Sequence, residues 1–237
     1  MTVDFVMPVR NEGANIARAL RELYEKVPIA KRVLMVYDSE DDDTLPVVRS
    51  LTFPGLTLVR NTRGRGVLNA IRAGFDAAEA ELVIVTMADL SDDLAIVPEM
   101  VRLAEDGADI VCASRYMRGG RQIGGPWLKG MLSRLAGLSL RLLVRFPTHD
   151  ATNAFRAYRL SVVRRFPIES TGGFEYSLEL TAKAHAAGLR VVEVPATWND
   201  RIAGQTAFQL WKWLPRYLRW YGYALTHRPK PTSRKSR

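Results

Sequence analysis

Four short, mainly apolar strand candidates open the chain, at Val3 to Val9, Arg32 to Tyr37, Leu56 to Arg60 and Leu82 to Val85. Between them, apolar residues recur three or four apart over Ala14 to Lys26, Thr44 to Leu51 and Val67 to Ala80, the spacing of one helical face. Strand and helix alternating in this way predict βαβ units, and so an α/β fold with a mainly parallel sheet flanked by helices. A later run, Asp109 to Ala113, reads as a further core strand and contains the lone Cys112. Two amphipathic helical stretches follow, Trp127 to Phe146 and Phe208 to Leu225.

Each early strand ends in polar or glycine-containing sequence: Pro8-Val-Arg-Asn-Glu12, Asp38-Ser-Glu-Asp-Asp-Asp43, Asn61-Thr-Arg-Gly-Arg-Gly66, and a turn carrying Asp89, Asp92 and Asp93. In an open α/β sheet, ligands bind beyond the carboxyl ends of the strands. Four such clusters in succession outline one crevice. The oxygen donors after the fourth strand suit a hard divalent ion such as Mg²⁺ or Mn²⁺ that holds a diphosphate. A solvated cap on the helix after Leu94 explains the same acids, because aspartate is favoured at helix N-termini.

Gly64 and Gly66 begin a G-x-G pattern. A dinucleotide fingerprint needs a third glycine where Asn69 stands, and it should follow the first strand rather than the third. The dehydrogenase reading is therefore rejected. A phosphate-approach loop and a plain tight turn both remain open.

These segments resemble family 2 glycosyltransferases of the GT-A fold, and most closely the polyprenyl-phosphate sugar synthases. The resemblance rests on Pro8-Val-Arg-Asn-Glu12, Asp38-Ser39, Gly64-Arg-Gly66, Ala88-Asp-Leu-Ser91, Ala113-Ser-Arg-Tyr116, Asp150-Ala-Thr-Asn-Ala-Phe-Arg156, and Glu193-Val-Pro195 with Asp200-Arg-Ile-Ala-Gly204. It covers residues 3 to 206 and implies a GT-A domain over 1–206; the residue pattern beyond it predicts amphipathic membrane-interface helices over 207–226 and a basic disordered tail over 227–237.

The resemblance also implies roles. Pro8, Arg10, Glu12, Asp38, Gly64, Gly66, Ala88 and Asp89 would line the site of a GDP- or UDP-hexose. Asp89, with Ser91, would hold a divalent cation. Arg201 would approach the diphosphate, where a guanidinium fork suits phosphate oxygens. Arg115 and Arg134 match arginines that bind the lipid phosphate, and Asp150 matches an aspartate near the reaction centre. The first aspartate of the family's D-A-D motif is Met87 here, which cannot ligate a hard cation; Asp92 and Asp93 are candidates for the missing carboxylate. Ala154 replaces a glycine, and Thr206 a serine.

Charge adds a second clue. The chain carries +9 from 34 basic and 25 acidic residues. Residues 201–237 hold nine of the basic residues and no acid, so residues 1–200 balance at 25 against 25. Residues 110–149 hold seven Arg or Lys and no acid. Basic tails often signal nucleic acid. Here Phe208, Trp211, Leu214, Leu218, Tyr221 and Leu225 form an apolar stripe, with Lys212, Arg216 and Arg219 opposite and Trp213, Trp220 and Tyr223 on the borders. A Trp- and Tyr-rich helix with a basic face favours a membrane surface over nucleic acid. Packing of that stripe on the body is the plain alternative. The stretch from Trp127 carries Leu128, Met131, Leu132, Leu135, Leu142 and Phe146 on one side, interspersed with Lys129, Arg134, Arg141 and Arg145. A core-facing helix is the default for such a pattern, while the resemblance places it on the acceptor side, beside the bilayer.

The expected activity is inverting transfer of a hexose from a nucleotide sugar to a polyprenyl phosphate. The rivals are another lipid or saccharide acceptor and an inert nucleotide-sugar-binding shell. With the first strand beginning at Val3, no secretory signal is expected, and a single cysteine fits a reducing compartment. The expected location is cytoplasmic, peripheral on the inner face of the membrane. His149, His185 and His227 have no metal-type spacing.

Overall fold

The structure, a computed structural model, describes residues 1–200, 210–227 and 229. Arg201, Thr206 and the Phe208 end of the last stripe lie outside the described residues. The strands are β1 (Val3–Pro8), β2 (Lys31–Tyr37), β3 (Leu56–Arg60), β4 (Leu82–Val85), β5 (Ile110–Ser114), β6 (Arg121–Ile123), β7 (Arg156–Arg159), β8 (Val191–Pro195) and β9 (Thr197–Asn199). The helices are α1 (Ile16–Lys26), α2 (Thr44–Arg49), α3 (Val67–Ala77), α4 (Val97–Glu105), α5 (Trp127–Val144), α6 (Leu160–Arg165), α7 (Tyr176–Ala186) and α8 (Leu210–Thr226).

Seven strands form one sheet in the order β3-β2-β1-β4-β7-β5-β8. All are parallel except β7, which runs antiparallel between β4 and β5. Strands covered on both faces read as continuous apolar runs rather than alternations. The side chains nevertheless divide between two cores. Phe5, Met7, Val33, Met35 and Ile84 pack with α1, α2 and α4 on one face. Val6, Leu34, Val36, Val83 and Val85 pack with α3, α6 and α7 on the other. This is the predicted α/β architecture.

Because β7 is reversed, its amino end lies at the edge where its parallel neighbours end. The segment Asp150 to Phe155 therefore reaches the crevice just before β7, alongside the loops that follow β4 and β5. A separate two-stranded ribbon, β6 with β9, ties the approach to α5 to the chain leaving β8.

A third core joins α5, α7 and α8 through Leu140, Val144, Phe146, Leu178, Ala182, Trp220 and Ala224. Here one sequence expectation changes, and a choice left open for α5 is decided. In α8, Trp220 was placed at the border of the stripe and is instead buried, because it meets α7 and α5. In α5, the side carrying Leu128, Met131, Leu135 and Leu142 is exposed, along with Trp127, Leu138 and Leu143. Only one narrow strip of α5 faces inward. At Gly137 on that strip, any side chain would collide with the carbonyl oxygen of His149, so glycine lets α5 lie directly on the turn before Asp150.

Candidate active site

The acidic turn after β4 splits into two functions. Asp93 accepts from the Ala95 amide (3.3 Å) at the start of a 3₁₀ turn, Leu94–Ile96, that leads into α4. For this residue the helix-cap explanation holds. Asp89 and Ser91 are buried, and the Ser91 hydroxyl and amide both donate to Asp89 Oδ1 (2.6 and 3.1 Å). Leu90 between them has φ of 62°, a left-handed conformation costing an L-residue roughly 1–2 kcal/mol. The Asp89–Ser91 bonds offset that cost and turn both oxygens to one place. Asp92 accepts from Thr86 Oγ1 (3.0 Å) and the Met87 amide (3.1 Å). Burial, reinforced by the neighbouring Asp89 charge, pushes the Asp92 carboxyl up to about 7.

Asp89, Ser91 and Asp92 line one end of a cavity of about 490 Å³. Their donor set is all oxygen and carries two crowded carboxylates, which fits Mg²⁺ or Mn²⁺. The Met87 side chain also lines this end, and its thioether is too soft to be a ligand for such an ion.

Arg115 follows β5 and lines the same cavity. Its Nε and Nη2 donate to the two carboxylate oxygens of Asp150 (2.6 and 2.9 Å), and its amide donates to the same group (3.1 Å). Nη2 also reaches Ser133 Oγ (3.1 Å) and Thr152 Oγ1 (3.0 Å). Asp150 is fully buried. Burial alone would raise its pKa, but the Arg115 guanidinium outweighs this and holds the carboxyl below the usual range. The pair is a bidentate fork that fixes where the guanidinium points.

Beyond this ionic end the cavity becomes apolar. This part of the lining comes from Leu132 and Ala136 of α5 and Leu214, Tyr217, Leu218 and Tyr221 of α8, together with Phe174, Leu178 and Trp198. Burial raises the Tyr217 hydroxyl well above its ordinary pKa, so it stays a neutral hydrogen-bonding group.

The donor-side residues sit on the same edge of the sheet but do not line this cavity. Asp38, after β2, accepts from Asn61 Nδ2 (2.7 Å) and the Gly66 amide (2.9 Å). Gly64 and Gly66 have φ of 93° and 125°, which favours glycine, so the G-x-G loop is at least a tight turn held by Asp38. Pro8 and Ala88 are buried at the ends of their segments, and Arg10 is exposed. Glu12 accepts from Asn15 Nδ2 (3.0 Å), and its own amide donates to Thr44 Oγ1 (2.9 Å).

Arg134 is exposed and is not among the residues lining the cavity. On α5 it is Lys129 and Ser133, four residues apart, that face the cavity with Arg115. The i, i+4 spacing was the available signal, masked by the apolar residues around it. Thr152, Asn153 and Trp198 were also missed as cavity residues.

A family model, "Glycosyl transferase family 2", matches residues 4–166. Dolichol-phosphate mannosyltransferase of Pyrococcus furiosus is 27% identical over 237 residues, covering 94% of this chain; the chain spans only 65% of that relative's length. Polyprenol monophosphomannose synthase of Mycolicibacterium smegmatis is 29% identical, over 84% of this chain and 78% of its own. Among solved structures, glucosyl-3-phosphoglycerate synthase of Mycobacterium tuberculosis, crystallised with Mn²⁺ and UDP, superposes with a TM-score of 0.67 at 16% identity, over 97% of this chain and 81% of that one. The mannosyltransferase PcManGT of Pyrobaculum calidifontis, with GDP-Man and Mn²⁺, gives 0.66 at 20% identity, over 96% of this chain and 65% of its own. The architecture is that of GT-A glycosyltransferases, and the chain belongs to glycosyl transferase family 2.

Proposed function

We propose that the chain transfers a hexose, with inversion, from a GDP- or UDP-sugar to the phosphate of a polyprenyl phosphate at a membrane surface. The observation carrying this reading is the single cavity that joins an ionic end to an apolar groove. An acceptor with a phosphate head and a hydrocarbon tail has that polarity. The names of the Pyrococcus and Mycolicibacterium relatives support the same class, with mannose as the sugar.

In this reading Arg115, Lys129 and Ser133 hold the acceptor phosphate, while the tail lies between α5 and α8. An anionic phosphate oxygen attacks the anomeric carbon. The bond from that carbon to the nucleoside diphosphate breaks, its electron pair leaving with the diphosphate. The nucleophile carries no proton at neutral pH, so no strong general base is required. Catalysis then rests on positioning and charge stabilisation. Asp150 orients Arg115 and adds negative potential near the developing positive charge. Asp89, Ser91 and Asp92 would hold a divalent cation, which supplies neutralisation of the departing diphosphate. Pro8, Arg10, Glu12, Asp38, Gly64, Gly66 and Ala88 surround the nucleotide, and Arg201 reaches its diphosphate.

The membrane face in this reading is α5. Its exposed Trp127, Leu128, Met131, Leu135, Leu138, Leu142 and Leu143 would enter the interface, and Arg134, Arg141 and Arg145 would meet anionic head groups, each contributing about 1 kcal/mol. No helix among the described residues is long and apolar enough to cross a membrane. Peripheral attachment at the cytoplasmic face completes the proposal.

The test is incubation of the purified chain with labelled GDP-mannose or UDP-glucose, a short polyprenyl phosphate and Mn²⁺. Label in the lipid fraction supports the reading. Donor binding without transfer to lipid would leave the inert shell in its place.

A further inference from the structure

Glu193 is a motif residue to which the reading above assigns no role. It sits in β8, paired in register with Cys112 of β5, and its side chain is only 9% exposed. Its two carboxylate oxygens are fully engaged on one short turn. Oε2 accepts from the His149 amide (2.8 Å) and from Thr148 Oγ1 (3.1 Å), and Oε1 meets His149 Nδ1 (2.5 Å). Arg141 of α5 stands 3.8 Å away. Thr148 Oγ1 in turn accepts from the Asp150 amide (3.0 Å). From the other side, the buried Arg156 donates through Nη2 to the Asp150 carbonyl (3.0 Å).

The turn Thr148-His149-Asp150 therefore has few ways to move. α5 presses on it at Gly137, Arg156 holds its carbonyl, and Glu193 holds the His149 amide and ring and the Thr148 hydroxyl. Everything that this fixes is delivered to one place, the Asp150 carboxylate, which orients Arg115. A buried carboxylate with several donors rigidifies what it touches, and leaving those donors unpaired is costly.

We propose that Glu193 is a positioning residue: it clamps the Thr148–Asp150 turn so that the Asp150 carboxylate holds the Arg115 guanidinium aimed into the cavity. The inference rests on the functional reading above in taking Arg115 as the group that meets the acceptor phosphate. The clamp itself is a property of the protein without substrate.

Two readouts on the full chain separate these layers. The first uses no substrate. The Arg115 Nε proton, held at 2.6 Å by a buried carboxylate, should give a slowly exchanging side-chain signal in ¹⁵N NMR, assigned by its loss in Arg115→Lys. Glu193→Ala should broaden or abolish that signal in protein that remains folded. Glu193→Gln, which keeps one acceptor oxygen on the turn, should restore it. Thr148→Val, nearly isosteric, removes the bridging hydroxyl and should produce the same change at smaller amplitude, so the test survives if Glu193→Ala does not fold. An unchanged Arg115 signal in folded Glu193→Ala or Thr148→Val overturns the clamp.

The second readout is kinetic. With the lipid phosphate that the unaltered chain glycosylates, Glu193→Ala should raise the acceptor KM by about tenfold, the cost of one charged hydrogen-bond network loosened. The donor KM should stay within about threefold, and Glu193→Gln should recover most of the loss. Donor and acceptor constants worsening together, in step with lost folded protein, would reduce Glu193 to a fold-stabilising residue and overturn the proposal. Absence of transfer by the unaltered chain would instead defeat the functional reading, while the NMR result still decides the clamp.

Discussion

Arg115 and Asp150 meet through two side-chain hydrogen bonds of 2.6 and 2.9 Å and a third from the Arg115 backbone amide, in a place where Asp150 has no solvent exposure and the Arg115 side chain is 10% exposed. The pair costs desolvation on both sides, and its geometry is what repays it.

Replacing Asp150 by Asn keeps the shape and removes the charge. An unpaired buried guanidinium should cost about 3–5 kcal/mol of stability, seen as a lowered denaturation midpoint. In protein kept folded by working well below that midpoint, turnover should fall by about 100-fold or more as Arg115 loses its aim. Thermal stabilisation by the nucleotide sugar should persist, since Asp150 does not line the donor side. A fully active variant would remove Asp150 from the site.

The cation reading predicts a ligand effect that needs no turnover. GDP or UDP with Mn²⁺ should stabilise the chain, by about 2.7 kcal/mol when the ligand is at 100 times its dissociation constant. EDTA should remove the Mn²⁺-dependent part, and so should Asp89→Asn. Asp92→Asn should weaken it. Stabilisation indifferent to EDTA and to both substitutions would contradict the assignment of these oxygens to a cation.

Membrane docking through α5 can be separated from folding because the residues concerned are outside the core. Leu135 and Leu142 are 53% and 74% exposed. Changing both to Glu should alter stability by no more than about 0.5 kcal/mol each. Binding to vesicles containing anionic lipid, measured by flotation, should weaken about tenfold or more, because apolar burial worth roughly 25 cal/mol per Å² is lost and charge is added. Unchanged flotation would sink the docking face.

Asp4 gives a pH prediction away from the cavity. It is fully buried and accepts four hydrogen bonds, from Arg32 Nε and Nη2 (2.8 and 2.7 Å) and from the Glu79 and Ala80 amides (2.7 and 2.8 Å). Burial raises its pKa, but these donors outweigh burial and the net shift is downward. A depressed folded-state pKa means that the contribution is fully present above the unfolded value of about 3.9 and fades as pH falls through the folded value. Asp4→Asn should cost about 2–3 kcal/mol at pH 7. The gap between variant and parent should close as the pH is taken below about 3.9. A gap that does not depend on pH would show that packing, not charge, carries the residue.

The first half of the fold was legible because strands buried on both faces announce themselves without reference to any partner. Leu82–Val85 is apolar throughout and Val3–Pro8 is apolar but for Asp4, and the helices between them carry a single periodic face. β7 was not legible: Arg156-Ala-Tyr-Arg159 looks polar, and Arg156 is buried only because Ser177 O, Thr181 Oγ1 and Asp150 O receive its protons. The amphipathic helices were legible as helices but not in their orientation. Periodicity reveals a stripe, not what covers it, so Trp220 went inward against expectation, and only the placed helix decided between the core and the outside for Leu135. The same limit applies within α5, where Ser133 and not Arg134 lines the cavity, since one step along a helix turns a side chain by about 100°. Asp89, Asp150 and Arg115 stand in readable motifs, whereas placing Lys129 and Ser133 on the cavity needed the helix in three dimensions.

The reversal of one strand has a practical corollary for anyone engineering this protein. Turns at the far rim of the sheet, such as the one around Gly188, which has φ of 75° and open space where a side chain would begin, lie an entire strand length from the proposed site. A fluorescent label or affinity peptide grafted there should leave performance intact. The same graft between Val144 and Arg156 would dismantle it, because β7 alone brings its leading connection, rather than its trailing one, to the working rim.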